Sequence, residues 1–176
     1  LQREKSVNMK GYEKIDEVPF DFVRKRVSVV VEYEGRRLLI TKGAPEEIFK
    51  ICSYCNVAGK QVELSNELRK KMEQEYYEMS SKGYRVLGLS SKELEEKKQV
   101  YSVSDEANMI FLGFVAFIDP PKQSAKESLE LLKKANIELK ILTGDSDIVT
   151  RTVCEQLGFE IQDIVLGSEI AELQDD

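Results

Sequence analysis

Histidine occurs nowhere in the 176 residues. Its absence excludes imidazole acid–base catalysis and any histidine-containing metal site within the chain. Cysteine is sparse and odd in number, at Cys52, Cys55 and Cys154. That pattern fits reduced thiols in a cytosolic compartment rather than a disulfide framework. Cys52 and Cys55 have C-x-x-C spacing, but no second pair and no His completes a zinc site, so a structural role outweighs metal or redox chemistry. Long apolar runs are missing as well. The longest, residues 109–118, falls well short of the about 20 residues that cross a bilayer. A basic excess is also lacking: 26 Lys and Arg face 32 Asp and Glu, a net charge of −6. This argues against a nucleic-acid binder, while leaving room for a small basic pocket around a phosphate-bearing ligand.

What is present is a chain able to fold. Hydrophobic residues make up 41% and charged residues 33%, enough for a packed core and unlike a disordered segment. The length suits one medium domain, or one domain with a piece of another. No secretory leader opens the sequence, and its first residue is Leu rather than Met. It therefore reads as a portion of something longer, with any membrane-spanning part outside it.

Residues 1–14 are polar and weakly patterned and read as a frayed lead-in. Residues 27–33 (Val-Ser-Val-Val-Val-Glu-Tyr) are β-branched and predict a strand. Glu34-Gly35 supplies a turn, and 37–41 returns as the hairpin partner. Pro45 then opens a helix with Glu46 and Glu47 in its first turn, running to about Cys52. Ser65 is placed to cap a second helix, in which Leu68, Met72, Tyr76 and Met79 share one face and Gly83 is the stop. Residues 84–89 and 109–117 are strand-like, separated by a charged, solvated stretch at 92–98. After Asp119-Pro120-Pro121 the texture changes. A helix with Ala125, Leu129 and Leu132 inward precedes a strand at 137–142, the loop Thr143-Gly144-Asp145, and a helix to Leu157 stopped by Gly158. This alternation predicts a wound α/β, Rossmann-like segment after a hairpin-rich α+β domain. The domain boundary falls near 117–121, giving 1–117 and 118–176.

Several residues are candidates for chemistry. Lys42-Gly43 sets an ammonium beside a helix start, a place that favours phosphate; by itself it is more often an ordinary strand-to-helix turn. Thr143-Gly144-Asp145 lies after a buried-type strand, where ligands of open α/β sheets sit, and its hydroxyl and carboxylate suit a phosphate–magnesium group. A helix-capping turn reads the same way. Phe20 and Phe22 flank Asp21 ahead of Arg24, Lys25 and Arg26, so an aromatic face for a base stands beside cations for phosphate. Core packing of the two rings is the plainer reading of that segment alone. Arg85, entering a strand after Gly83-Tyr84, is a further cation open to either use. No nucleophile–base set and no Gly-Lys-Ser/Thr phosphate loop occurs.

In order, these pieces resemble the P-type cation-transporting ATPases. Pro19-Phe20-Asp21-Phe22 with Arg24-Lys25-Arg26 is similar to that family's segment around an adenine-stacking Phe. Lys42-Gly43-Ala44-Pro45-Glu46 resembles its Lys-Gly-Ala-Pro-Glu signature, and Gly83-Tyr84-Arg85-Val86-Leu87 the segment whose Arg reaches the nucleotide phosphates. Asp119-Pro120-Pro121-Lys122 resembles the hinge into the phosphorylation domain, and Leu142-Thr143-Gly144-Asp145 its Thr-Gly-Asp loop. The match runs over nearly the whole chain after about residue 12. The stretches 14–31 and 113–122 look most like the magnesium-importing branch.

The resemblance implies a nucleotide-binding domain at 1–117 and the opening of a haloacid-dehalogenase-like phosphorylation domain at 118–176. It implies that Phe20 stacks adenine, that Lys25 lies near the nucleotide and Lys42 at the pocket floor, and that Gly43 keeps the pocket clear. Arg85 would pair with phosphate oxygens. Thr143, Gly144 and Asp145 would meet the phosphate and Mg²⁺ side of Mg-ATP on domain closure, about a hinge at Asp119, Pro120 and Pro121. ATP and Mg²⁺ are the implied cofactors, the rest of the same pump the implied partner, and the cytosolic side of a cell membrane the implied location. The family's Asp-Lys-Thr-Gly-Thr and Gly-Asp-Gly-x-Asn-Asp motifs are absent, so the chain is expected to hold ATP without completing a catalytic cycle. Other readings are a pump of different cation specificity, a haloacid-dehalogenase-like phosphatase lacking its Asp-x-Asp motif, and a protein-interaction domain without nucleotide.

Overall fold

The computed structural model describes residues 10–118 and 121–172. Seven strands form one sheet in the order β1-β2-β3-β6-β7-β4-β5: β1 (Glu13–Asp21), β2 (Arg26–Tyr33), β3 (Arg36–Gly43), β4 (Cys52–Val57), β5 (Lys60–Glu63), β6 (Tyr84–Leu94) and β7 (Met109–Ile118). The helices are α1 (Pro45–Ile51), α2 (Asn66–Ser80), α3 (Gln123–Lys134), α4 (Asp147–Leu157) and the short α5 (Gly167–Glu172). The fold is mixed α+β, of the nucleotide-binding-domain kind. The chain divides into two compact units. One holds the described residues through Glu73 together with Leu87–Val115; the other holds Gln74–Val86 and the described residues from Ala116 onward.

In the first unit, β2 and β3 pair antiparallel along their whole length, from Arg26 opposite Gly43 to Tyr33 opposite Arg36. Glu34 and Gly35 both take positive φ, at 49° and 76°. That geometry matches the twist of a two-residue hairpin and is least strained with glycine at one position. Strand alternation then sorts the side chains. Ser28, Val30, Leu39 and Thr41 are fully buried on one face, where Ile48 and Phe49 of α1 and Leu64 complete the core with Met109 and Phe111 of β7. Leu68 and Met72 of α2 pack against this cluster. Val27, Val29, Ile40, Lys42 and Leu89 alternate with that set and stay half-buried or exposed.

The expected helices form. Pro45 occupies the first turn of α1, and the Ser65 hydroxyl accepts the Leu68 N–H at 3.2 Å to start α2. Two further strand regions emerge. β1 begins at Glu13, at the end of the segment read as a lead-in, and runs to Asp21, and a β4–β5 hairpin fills the interval between α1 and α2, with β4 running parallel to β7.

In the second unit, Ala125, Leu129 and Leu132 form the half-buried side of α3, as their spacing predicts. Gly158 ends α4 at φ 70°, with the Phe159 N–H donating back to the Cys154 carbonyl. Thr152 of α4 donates to the Ser81 carbonyl at 3.3 Å. One expectation fails: residues 137–142 form no strand. Among the described residues no strand lies outside the single sheet, so this segment has no ladder partner, and an extended backbone has no hydrogen bonds of its own. Its apolar side chains are correspondingly open, with Leu142 95% exposed. No helix among the described residues is long and apolar enough to cross a membrane.

Candidate functional site

Between Val18, opposite Ser28, and Asp21, opposite Arg26, the β1–β2 register shifts. Pro19 and Phe20 thus both stand beside Val27, a bulge at a sheet edge. Val27 pairs with Lys42, and Lys42 with Leu89. Phe20, Val27, Lys42 and Leu89 therefore follow one row across β1, β2, β3 and β6. The row offers an aromatic ring, an aliphatic floor and an exposed ammonium. Such a surface suits a flat heteroaromatic ring carrying an anionic tail.

The segment bearing Phe20, from the bulged end of β1 into the turn at 22–25, is held by Asp21. The Asp21 carboxylate accepts the N–H groups of Val23 at 2.9 Å and Arg24 at 2.7 Å. The Arg24 N–H above all keeps the Asp21 carboxyl below the usual carboxylate range. The Lys25 N–H donates to the Asp21 carbonyl at 2.7 Å, and Lys25 turns through φ 47° with its side chain exposed. Phe20 is 53% and Phe22 86% exposed, with rings edge to face at 5.3 Å. Neither ring is spent on the core.

Of the three cations after Phe22, only Lys25 is presented outward. Arg24 reaches both oxygens of the buried Glu106, at 3.0 and 2.9 Å, and the Arg26 Nε donates to Glu106 at 2.8 Å. Ser28 adds a 2.6 Å hydroxyl bond to the same carboxylate and lies 2.8 Å from Thr41. The Arg pair neutralises an internal acid, which an outward-facing basic cluster would not do. Glu106 lies outside every motif in the sequence, and no periodicity marks it.

Gly43 sits where two backbones cross closely. A Cβ there would lie 2.5 Å from the Arg26 Cβ, 2.5 Å from the Lys25 carbonyl oxygen and 2.7 Å from the Arg26 Cα. Glycine is needed for the close crossing of two backbones. The helix start after it also offers fewer free donors than expected. The Ala44 N–H donates to the Lys25 carbonyl at 3.0 Å, and Glu47 and Ile48 donate to the Ala44 carbonyl; Pro45 has no N–H.

Arg85 belongs to the second unit, as do Thr143, Gly144 and Asp145. There the Arg85 guanidinium donates to the Asp145 carboxylate at 2.9 Å, and the Asp145 N–H donates to the Thr143 hydroxyl at 3.1 Å. Arg85, Pro121, Lys122, Thr143 and Asp145 share a cleft of about 400 Å³. Ser146 caps α4 directly after this loop. Asp119 and Pro120 of the expected hinge lie outside the described residues.

The α+β sheet thus carries an aromatic–lysine row across four of its strands. Comparison with known proteins specifies the class: residues 2–124 match the family model described as P-type ATPase, cytoplasmic domain N. The chain belongs to the P-type ATPase family. It is 39% identical over 166 residues to a Magnesium-transporting ATPase, P-type 1, of Escherichia coli strain K12, covering 94% of this chain and 18% of that protein. A protein of the same description from Salmonella typhimurium strain LT2 is 37% identical over the same shares. Calcium-transporting ATPase 1 of Lactococcus lactis is 31% identical, covering 93% of this chain and 19% of that protein. The chain thus spans less than one fifth of the length of these relatives.

Proposed function

We propose that this chain is the cytosolic ATP-binding part of a membrane pump that couples ATP hydrolysis to cation transport, the cation being magnesium. The row of Phe20, Val27, Lys42 and Leu89 carries the reading. Phe20 stacks the adenine, Val27 and Leu89 supply its apolar floor, and Lys42 and Lys25 supply positive charge toward the phosphates. Gly43 serves this site by letting β3 approach the Lys25 turn. The magnesium assignment is supported by the description of the 39%-identical relative and its margin over the calcium-transporting one at 31%.

Residues 1–117 act in this reading as the nucleotide-binding domain and 118–176 as the opening of the phosphorylation domain, with a hinge at Asp119, Pro120 and Pro121. In this reading Arg85 pairs with phosphate oxygens, and Thr143, Gly144 and Asp145 serve the phosphate and Mg²⁺ side of Mg-ATP. The Thr143 hydroxyl and Asp145 carboxylate are hard oxygen donors of the type Mg²⁺ takes, and the ion bound with ATP supplies charge neutralisation for phosphoryl transfer. This chain has no Asp-Lys-Thr-Gly-Thr acceptor, so the remainder of the pump provides the aspartate as well as the membrane path.

Titrating the 176-residue chain with ATP while following amide resonances tests the proposal. Signals around Phe20, Lys25 and Lys42 should move. Phe20→Ala should weaken binding by about 1–3 kcal/mol, roughly five- to 150-fold. No shift at millimolar ATP would refute the nucleotide reading.

A further inference from the structure

Among the described residues Glu106 is the one fully buried carboxylate, at 2% exposure. An acid in that position is costly unless its oxygens are fully engaged. Four donor contacts from Arg24, Arg26 and Ser28 engage them. Glu106 is itself held in place. The Lys92 ammonium donates to the carbonyls on either side of it, Asp105 at 2.6 Å and Ala107 at 2.7 Å. Just upstream, Ser102 and Asp105 form a capping box over a single helical turn at Val103–Asp105.

Arg26 and Ser28 lie within β2 and tie Glu106 to the sheet. Arg24 does something else. While one terminal nitrogen lies on the carboxylate, the other donates to the Pro19 carbonyl at 2.7 Å. That carbonyl belongs to the peptide bond leading into Phe20, and Arg24 lies at the far end of the same loop. A rigid guanidinium fork anchored on an internal charge therefore spans the loop from end to end.

We infer that Glu106 is a positioning residue for nucleotide binding: acting through Arg24, it holds loop 19–25 so that Phe20 and Lys25 are presented over the sheet row. The inference rests on the ATP reading of that row, and its test separates the two. Glu106→Gln preserves the shape of the side chain but removes the charge that orders the fork. If the loop is then competent about one tenth of the time, the ATP dissociation constant rises about tenfold.

The experiment uses the full 176-residue chain in four forms: parent, Phe20→Ala, Glu106→Gln and the double variant. ATP affinity is measured in each, together with hydrogen exchange without nucleotide at the Val23, Arg24 and Lys25 amides. Glu106→Gln should weaken ATP binding and hasten exchange at these three amides about tenfold, with Val30 and Leu39 little changed. In the Phe20→Ala background the Glu106 effect on affinity should shrink clearly, because one of the two groups it positions is gone. Additive losses, or unchanged exchange in loop 19–25, overturn the inference. Should Glu106→Gln fail to fold, Arg24→Gln carries the same cycle and the same exchange measurement, and unchanged values there overturn it. If Phe20→Ala leaves ATP affinity untouched, the nucleotide reading fails, while the exchange result still decides whether Glu106 holds the loop.

Discussion

Adding one methyl group at Gly43 tests a close backbone crossing in the sheet. The new Cβ would stand 2.5 Å from both the Arg26 Cβ and the Lys25 carbonyl oxygen, whereas carbon atoms pack favourably at about 3.5–4.0 Å. The atoms in the way are main-chain or directly attached to it, so no side-chain rotation relieves the clash. The strands must part by about 1 Å. Overpacking of this kind costs about 1–3 kcal/mol, and losing the Ala44 N–H bond to Lys25 adds about 1 kcal/mol. Gly43→Ala should therefore lose about 2–4 kcal/mol. At about 2–4 °C per kcal/mol for a chain of this size, Tm falls by roughly 4–16 °C in far-UV circular dichroism. Gly88→Ala is the control. Its Cβ would come nearest to the Ile48 side chain, at 3.1 Å, and should cost distinctly less. A Gly43→Ala protein melting within about 2 °C of the parent, or above Gly88→Ala, would refute the crossing argument.

Acid should unfold the chain through its bonded carboxylates. Lys98 first, then the Ser102 N–H, hold the Asp105 carboxyl below the ordinary aspartate range. A depressed carboxyl gives stability that is present above the unfolded value and lost as pH falls through the folded one. Tm should hold down to about pH 5 and drop below about pH 4, and Asp105→Asn should flatten that drop; an unaltered acid limb would reject the assignment. Burial pushes the Cys52 thiol up to about 12 and raises Cys55 and Cys154 as well. A thiol-reactive dye at pH 8 should therefore label the cysteines only in denaturant, and fast stoichiometric labelling of the native chain would contradict this. The exposed Arg85–Asp145 pair should matter little to folding: Asp145→Asn should change unfolding free energy by less than about 1 kcal/mol, and a larger loss would show that the pair holds the second unit together.

Elements with a strong local signal were legible in the sequence. The Val-rich run of β2, the Glu34-Gly35 turn, Pro45 at a helix start and Gly158 at a helix stop each bias the backbone by themselves. β1 was harder to read because its charged residues and Pro19 mask an edge strand whose order comes from pairing with β2. The β4–β5 hairpin turns through Ala58 and Gly59, both at positive φ, and alanine gives no hint of such a turn. Residues 137–142 carry a strand's composition, yet a ladder requires a neighbour that no local pattern supplies. The site divides in the same way. Phe20, Lys25 and Lys42 were visible as residue types in motifs, whereas the diversion of Arg24 and Arg26 to Glu106 depends on a residue some 80 positions away and has no signature in one dimension.

The polar seam of Arg26, Ser28, Thr41 and Glu106 lies inside an otherwise oily face. Sliding β2 by a single residue would swing Arg26 and Ser28 to the opposite side and strand the acid among hydrocarbons. Aliphatic neighbours such as Val29 and Val30 are nearly interchangeable and penalise such a slip only weakly. The seam thus works as a key that admits one alignment of the strands, and a Glu106→Leu chain would be expected to populate mispaired conformers, visible as doubled amide resonances along β2.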